Sequence, residues 1–200
     1  MYVAIEGVIG VGKTTLARLL QPAFDAEIIL EVFEENPFLS DFYSDRERYA
    51  FQTQIFFLLS RYHQQRRTVQ DIMSTGKNVI ADYTFAKDSL FARINLKGDE
   101  LDMYYKVHEA LAEKIQKPDL LVYLQAATDT LMQRIALRDR PYERQMERAY
   151  INDLNLAYDE FYSKSFDHTP VLTIDSNDLN IIQNPEHLKQ VEERIRQSLS

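Results

Sequence analysis

Residues Gly7-Val8-Ile9-Gly10-Val11-Gly12-Lys13-Thr14, followed by Thr15, satisfy the pattern G-x-x-x-x-G-K-[ST], with an apolar run before them and a helical pattern after. This spacing serves phosphate binding. Glycines let the backbone wrap a polyphosphate with its N–H groups turned inward, and the helix beginning here adds the positive end of its dipole. Lys13 is expected to reach the phosphoryl group being transferred, and the Thr14 hydroxyl to ligate Mg²⁺, with ATP as the donor. The loop alone does not name a reaction. No Asn/Thr-Lys-x-Asp element for reading guanine is present, which argues against a GTP switch.

An alcohol acceptor needs a carboxylate to take its proton, at the carboxyl end of a parallel strand beside the loop. Glu31, ending the strand that contains "EIIL", meets that requirement, while Glu34 and Glu35 read as solvated neighbours. In "NVIADYTFAKD", Asp82 ends a buried strand and suits the Mg²⁺ role, with Asp88 able to pair with Arg61. Gln54 and Arg61 lie seven apart in "RYAFQTQIFFLLSRYHQQRR", two turns along one helix face, where an amide and a guanidinium can read the edge of a planar ring. In "QRIALRDRPYER", Arg134 and Arg138 share a helix face and Arg140 follows. Three guanidiniums repel unless an anion joins them, so this stretch reads as a lid over the phosphates.

The elements that position these residues are legible too. Short apolar runs at Val3–Glu6, Ile28–Glu31, Asn78–Ala81, Leu120–Leu124 and Val171–Ile174 alternate with helical stretches, the pattern of a parallel sheet covered on both faces. Asn36-Pro37 and Asn184-Pro185 predict helix starts, and Thr128 a cap for Asp129–Leu137. Between Glu143 and Lys164 a helical stripe is formed by Tyr150, Leu154, Ala157 and Phe161. The polar loop Asp175–Asn180 can touch a donor base or serve as a connector.

The whole chain, residues 1–200, reads as one α/β domain without repeats or linkers. It contains no cysteine, excluding disulfides, thiolate metal sites and a cysteine nucleophile. With 23 Lys+Arg against 31 Asp+Glu the net charge is -8, which argues against broad nucleic-acid binding. No apolar run approaches a membrane span, and the first residues lead straight into the strand and loop, so a cytoplasmic protein with no membrane or nucleic-acid partner is expected.

Together, Gly7–Thr14, Glu31, "RYAFQTQIFFLLSR", "ADYTFAKD" and "RIALRDRPYE" resemble the deoxynucleoside kinases, and most of all the bacterial deoxyadenosine/deoxyguanosine/deoxycytidine kinases, over about residues 1 to 165. The resemblance implies a P-loop kinase fold: a five-stranded parallel sheet flanked by helices, an arginine-rich lid, and usually a homodimer. It implies ATP-dependent phosphorylation of a deoxynucleoside 5′-hydroxyl in nucleotide salvage, with deoxyadenosine favoured and deoxyguanosine or deoxycytidine open. Glu31 matches the family's base, Gln54 the amide that pairs with the nucleobase, and Arg61 with Asp88 the pair closing the base edge. Tyr43 and Glu143 match the groups holding the sugar 3′-hydroxyl, and Phe51 and Phe85 fall where the base is stacked or walled. Arg134, Arg138 and Arg140 match the arginines around the phosphates. Lys13, Arg138 and Arg140 join Glu31 as catalytic residues.

One departure stands out. Many members carry Glu-Arg-Ser or Asp-Arg-Ser where this chain has Asp82-Tyr83-Thr84. The missing arginine belongs near the 5′-hydroxyl, so either another cation replaces it or the transition state is stabilised differently. Two other readings remain: a thymidylate-kinase-like enzyme acting on monophosphates, which would need an arginine where "EVFEENP" offers carboxylates, and a non-catalytic nucleotide sensor.

Overall fold

Tyr2–Glu6 forms β1, in which every residue is buried. Apolar side chains on both faces of such a strand require cover on both sides, and β1 lies at the centre of a wholly parallel sheet with order β2-β3-β1-β4-β5. A computed structural model of the chain describes residues 1–33, 35–162 and 168–199. Glu34 and the expected helix end at Lys164 lie outside the described residues.

The chain runs β1, α1 (Lys13–Leu20), β2 (Ala26–Ile29), α2 (Leu39–Ser44) and α3 (Arg46–Gln64). A π-helical stretch, Gln65–Val69, leads from α3 into α4 (Gln70–Ser74). There follow β3 (Asn78–Ala81), α5 (Lys87–Asn95), α6 (Gly98–Ala112), β4 (Leu120–Gln125) and α7 (Thr128–Arg138). A 3₁₀ turn at Pro141–Glu143, α8 (Arg148–Tyr162), β5 (Val171–Asp175) and α9 (Pro185–Leu199) complete the order.

The register decides what meets at the sheet's carboxyl edge. Ala81 pairs with Ala4 of β1 on one side and with Ile29 of β2 on the other. Asp82 follows Ala81 directly, Glu31 stands two residues beyond Ile29, and the phosphate-binding loop leaves β1 after Glu6. Three chemical groups from distant parts of the sequence thus converge above one edge.

Four expectations about elements need correction. β2 is Ala26–Ile29 rather than Ile28–Glu31, so Glu31 sits in the loop beyond the strand. α2 begins at Leu39, because Asn36 makes a local turn: its Oδ1 accepts the Phe38 N–H at 3.0 Å and its Nδ2 donates to the Thr53 carbonyl at 3.2 Å. Thr128 is the first residue of α7 rather than its cap, and its hydroxyl contacts Asn152 Oδ1 at 3.3 Å. α8 begins at Arg148, leaving Glu143 in the preceding 3₁₀ turn. The start predicted from Asn184-Pro185 is observed, with Asn184 Oδ1 accepting the Glu186 N–H at 3.1 Å.

The stripe on α8 packs as its spacing predicts. Tyr150, Leu154 and Ala157 are buried and Phe161 is partly buried, with Ile151, Tyr158 and Tyr162 added to the same face. Burying a side chain of this size contributes about 1.5–3 kcal/mol, so this face holds α8 against β4 and α5. The Tyr123 hydroxyl, inside that packing, donates to Asp159 Oδ1 at 2.7 Å, which satisfies it.

Candidate active site

The loop after β1 has the geometry a phosphate cradle needs. Gly7 has φ 145°, and a Cβ there would lie 2.5 Å from the Leu124 carbonyl oxygen, so no other residue fits without moving β4. Gly12 has φ 105° and caps α1, turning the helix N-terminus toward the loop. Lys13 folds back, its Nζ donating to the carbonyls of Gly7 at 2.5 Å and Val8 at 3.2 Å. Burial, then the nearby Lys87 ammonium, lowers the Lys13 pKa to about 8, against the pull of Glu6, Glu31 and Asp82.

Two cavities meet at this loop. The first is bounded by Ile9, Glu31, Tyr43, Gln54, Arg61 and Asp82 among others, and the second by Val11, Gly12, Thr15, Arg134 and the segment 176–182. Gly10, Lys13, Thr14, Arg138 and Arg140 border both. Residues expected to act on phosphate therefore form the boundary between the two spaces. Gly7 and Val8 line neither, Val8 being buried beneath the loop.

Asp82 ties the acceptor side to the loop. Its Oδ2 accepts the Thr14 hydroxyl at 2.5 Å and its Oδ1 the Glu31 N–H at 2.8 Å. Thr14 and Asp82 thus present two adjacent hard oxygen donors, the partial set that suits Mg²⁺, which keeps waters and takes phosphate oxygens for the remainder. No cluster of three or more His, Asp or Glu among the described residues forms an all-protein metal cage.

Glu31 is held from two sides. Arg61 donates from Nε at 2.9 Å and from its terminal nitrogen to Oε1, while Lys87 Nζ lies 2.6 Å from Oε2. Burial alone would raise the Glu31 pKa, but Arg61 and Lys87 outweigh it and hold the carboxyl well below the usual carboxylate range. Arg61 also pairs with Asp88, as expected from sequence. Asp88, fully buried, stands behind Arg61 and does not line the cavity, so of the expected pair only Arg61 borders that space.

Gln54 is 2% exposed, and its Oε1 has no hydrogen-bond partner among the described residues. A buried amide oxygen left unmatched costs about 1–3 kcal/mol, so this atom is open to a donor that enters the cavity. The walls around it are Phe57, Phe91, Leu39 and Phe42, residues that the sequence did not single out. Phe85 is a correction: it stacks on His108 with centroids 4.9 Å apart and does not line the cavity. Phe51 likewise packs against the core without lining it.

Tyr43 and Glu143 lie on the first cavity's wall, with Tyr142 stacked 6.3 Å from Tyr43. Glu143 is 5% exposed and engaged by Arg138, whose terminal nitrogen lies 2.6 and 2.7 Å from its two oxygens, with Arg140 3.7 Å away. Arg140 rests over the Phe33 ring at 4.2 Å. Arg134 donates to the Val11 carbonyl at 3.2 Å and the Ser176 carbonyl at 2.5 Å, bracing the 176–182 segment against the phosphate loop. That segment overlaps the polar loop that the sequence left as either base contact or connector, and it borders the second cavity.

Two residues that sequence reasoning missed matter here. Lys87, 3% exposed, is described above. Glu6, fully buried, accepts the Thr84 N–H at 2.6 Å and hydroxyl at 2.8 Å, fixing the start of the phosphate loop to the segment after β3. Burial raises its pKa, although Lys87 and Lys13 oppose that. A glutamate between an apolar run and the first glycine was the available signal.

A family model described as deoxynucleoside kinase matches residues 3–200. The chain is 34% identical to the deoxyguanosine kinase of Bacillus subtilis over 98% of its own length and 96% of the relative's. It is 33% identical to the deoxyadenosine kinase of Dictyostelium discoideum, covering 95% of this chain and 77% of that one. Among solved structures, a deoxyadenosine kinase from M. mycoides with dATP bound superposes with a TM-score of 0.84 at 25% identity, covering 98% of this chain and 99% of the other. A match that spans the chain from β1 through α9, on the same parallel-sheet framework, leaves one assignment: this protein belongs to the deoxynucleoside kinase family.

Proposed function

We propose that the protein transfers the terminal phosphoryl group of ATP to the 5′-hydroxyl of a deoxynucleoside, deoxyadenosine first with deoxyguanosine or deoxycytidine as rivals, in nucleotide salvage. The observation that carries this reading is the shared cavity: Glu31 and the unmatched Gln54 oxygen border the same space as Lys13 and Thr14. A sugar between them would have its hydroxyl at the carboxylate and its base at the amide. Gln54 offers an acceptor and donors, a match for adenine's amino group and ring nitrogen. Relatives named for deoxyguanosine, for deoxyadenosine and for deoxyadenosine/deoxycytidine are all similar to this chain, which supports a deoxynucleoside acceptor without ranking the bases.

The residues divide the work. Glu31 accepts the hydroxyl proton and orients the oxygen for in-line attack. A carboxylate stabilised by two cations is a weak base, which suits a loose transition state in which the proton moves late. Lys13 and the loop N–H groups hold the phosphates, and Arg138 and Arg140 approach from the lid side to meet developing charge. Mg²⁺, held by Thr14 and Asp82, would neutralise charge on the β- and γ-phosphates. Tyr43 and Glu143 hold the sugar's 3′-hydroxyl, which requires Arg138 to release part of Glu143.

We also propose a homodimer formed through α3 and α6, where Leu59 is 42% and Met103 55% exposed beside partly buried Ile55. Size-exclusion chromatography with light scattering tests that. The test of function is a panel of the four deoxynucleosides and their monophosphates with ATP and Mg²⁺. Phosphorylation of deoxyadenosine and deoxyguanosine is expected; activity confined to monophosphates would favour the thymidylate-kinase-like reading instead.

A further inference from the structure

Tyr83 follows Asp82 directly at the edge where the acceptor side meets the phosphate loop. Its ring is fully buried, and its hydroxyl donates to Gln64 Oε1 at 2.5 Å, away from the reacting groups. It carries no charge to that place. Lys87, four residues on at the start of α5, does: its Nζ lies 5.6 Å from the Tyr83 ring centroid and 2.6 Å from Glu31 Oε2. The ring of one residue thus supports the ammonium of the other.

The charges around Glu31 show what Lys87 adds. Arg61 occupies Oε1 and is itself paired with Asp88, leaving Oε2 to Lys87. No other salt bridge to Lys87 is formed among the described residues. A buried ammonium is costly without an anion, so a lysine 3% exposed and bordering the cavity of Lys13, Thr14 and Asp82 is held by direct pairing with Glu31, with Glu6 adding a longer-range attraction. Two ammoniums, Lys13 and Lys87, also repel one another across this space, a strain that a phosphoryl group between them relieves.

We propose that Lys87 is a positioning residue for phosphoryl transfer: its ammonium fixes Glu31 Oε2 so that the carboxylate faces the incoming 5′-hydroxyl, and it brings a second positive charge, beside that of Arg61, to the acceptor side. In the step, the hydroxyl oxygen forms the new bond to the γ-phosphorus as the bond to the β,γ-bridging oxygen breaks. The bridging oxygen keeps the bonding pair and leaves as ADP, and the hydroxyl proton passes to Glu31. This inference rests on the function proposed above.

The test compares Lys87→Gln, Lys87→Met and Lys87→Arg with the wild-type chain, at saturating ATP and Mg²⁺ with deoxyadenosine or deoxyguanosine, whichever the panel favours. Loss of one preorganised charge predicts that kcat falls about 10²-fold in the Gln and Met variants. KM for the deoxynucleoside should stay within about threefold, and ATP binding should persist, because the loss is confined to the transition state. Lys87→Arg should recover at least about tenfold of kcat, since it restores the charge without the shape. A folded Gln or Met variant with kcat within about threefold of wild type, or one changed only in KM, overturns the proposal. If neither neutral variant folds, Lys87→Arg decides: substantial kcat supports it, and a folded, ATP-binding but inactive protein overturns it. Absence of deoxynucleoside phosphorylation by the wild type is a separate outcome, which overturns the proposed function and this inference with it.

Discussion

The backbone N–H of Glu31 donates to Asp82 Oδ1 at 2.8 Å, while the other oxygen of that carboxylate takes the Thr14 hydroxyl at 2.5 Å. One side chain thereby locks the loop carrying the proposed base to the helix carrying the phosphate-binding residues. Asp82→Asn keeps the shape and removes the charge. The expected result is a kcat loss of about 10²–10³ with a raised Mg²⁺ requirement, because both the ion site and the anchoring of Glu31 weaken. Steady-state kinetics across a Mg²⁺ titration checks this.

Gln54→Leu fills the same volume without the amide. A base that has lost its buried partner binds about 1–3 kcal/mol more weakly, so KM for the preferred deoxynucleoside should rise about tenfold or more while ATP binding holds. The difference in kcat/KM between deoxyadenosine and deoxyguanosine should shrink in the same assay.

Glu143→Gln tests the proposed hold on the sugar 3′-hydroxyl. Arg138 loses its carboxylate partner, and the 3′-hydroxyl loses a charged acceptor, an exchange worth about 1.5–3 kcal/mol for a hydrogen bond to a charged group. Discrimination between a 2′-deoxynucleoside and its 2′,3′-dideoxy counterpart, measured as a ratio of kcat/KM, should fall about tenfold or more.

What the sequence disclosed and what it hid follow from physical range. The phosphate loop, Asp82, Gln54 and Arg61 were legible as neighbours of one cavity because each sits at a fixed local spacing: glycines ahead of a lysine, a carboxylate at a strand end, two residues on one helix face. Lys87 was hidden because its role depends on three separate contacts, the end of β3, the start of α5 and the loop after β2, which only the sheet register brings together. Phe85 misled because, just beyond a strand, side-chain direction is set by the turn into α5 and not by alternation, and it points to His108 instead of the cavity. The place of Glu31 at that edge was legible although its strand was drawn two residues too far along the chain, since the chemistry needed only a carboxylate near that edge.

The Lys13 pKa of about 8 makes ATP binding depend on pH in a definite sense. Phosphate favours the protonated ammonium, so below about pH 8 binding needs no proton uptake and affinity is flat. Above it, Lys13 in the empty protein has lost its proton and binding must take one up, weakening affinity about tenfold per pH unit until the bound-state pKa is reached. In the ligand-free protein the sign is opposite: between about 8 and the unfolded value of 10.5 the unfolded chain holds more protons, so this group makes stability rise with pH. Calorimetric titration of ATP from pH 7 to about 9.5, in buffers of differing ionisation enthalpy, measures both affinity and proton uptake.

The proposed phosphoryl transfer depends most on the Glu31 carboxylate. Single-turnover transfer from ATP to the favoured deoxynucleoside, measured for Glu31→Gln beside wild type with both ligands shown to bind, addresses it directly. General-base assistance and hydroxyl orientation together predict a rate loss of about 10²–10⁴ with little change in ATP affinity. A folded variant that transfers phosphoryl within about tenfold of the wild-type rate would contradict the assignment of the acceptor proton to this residue.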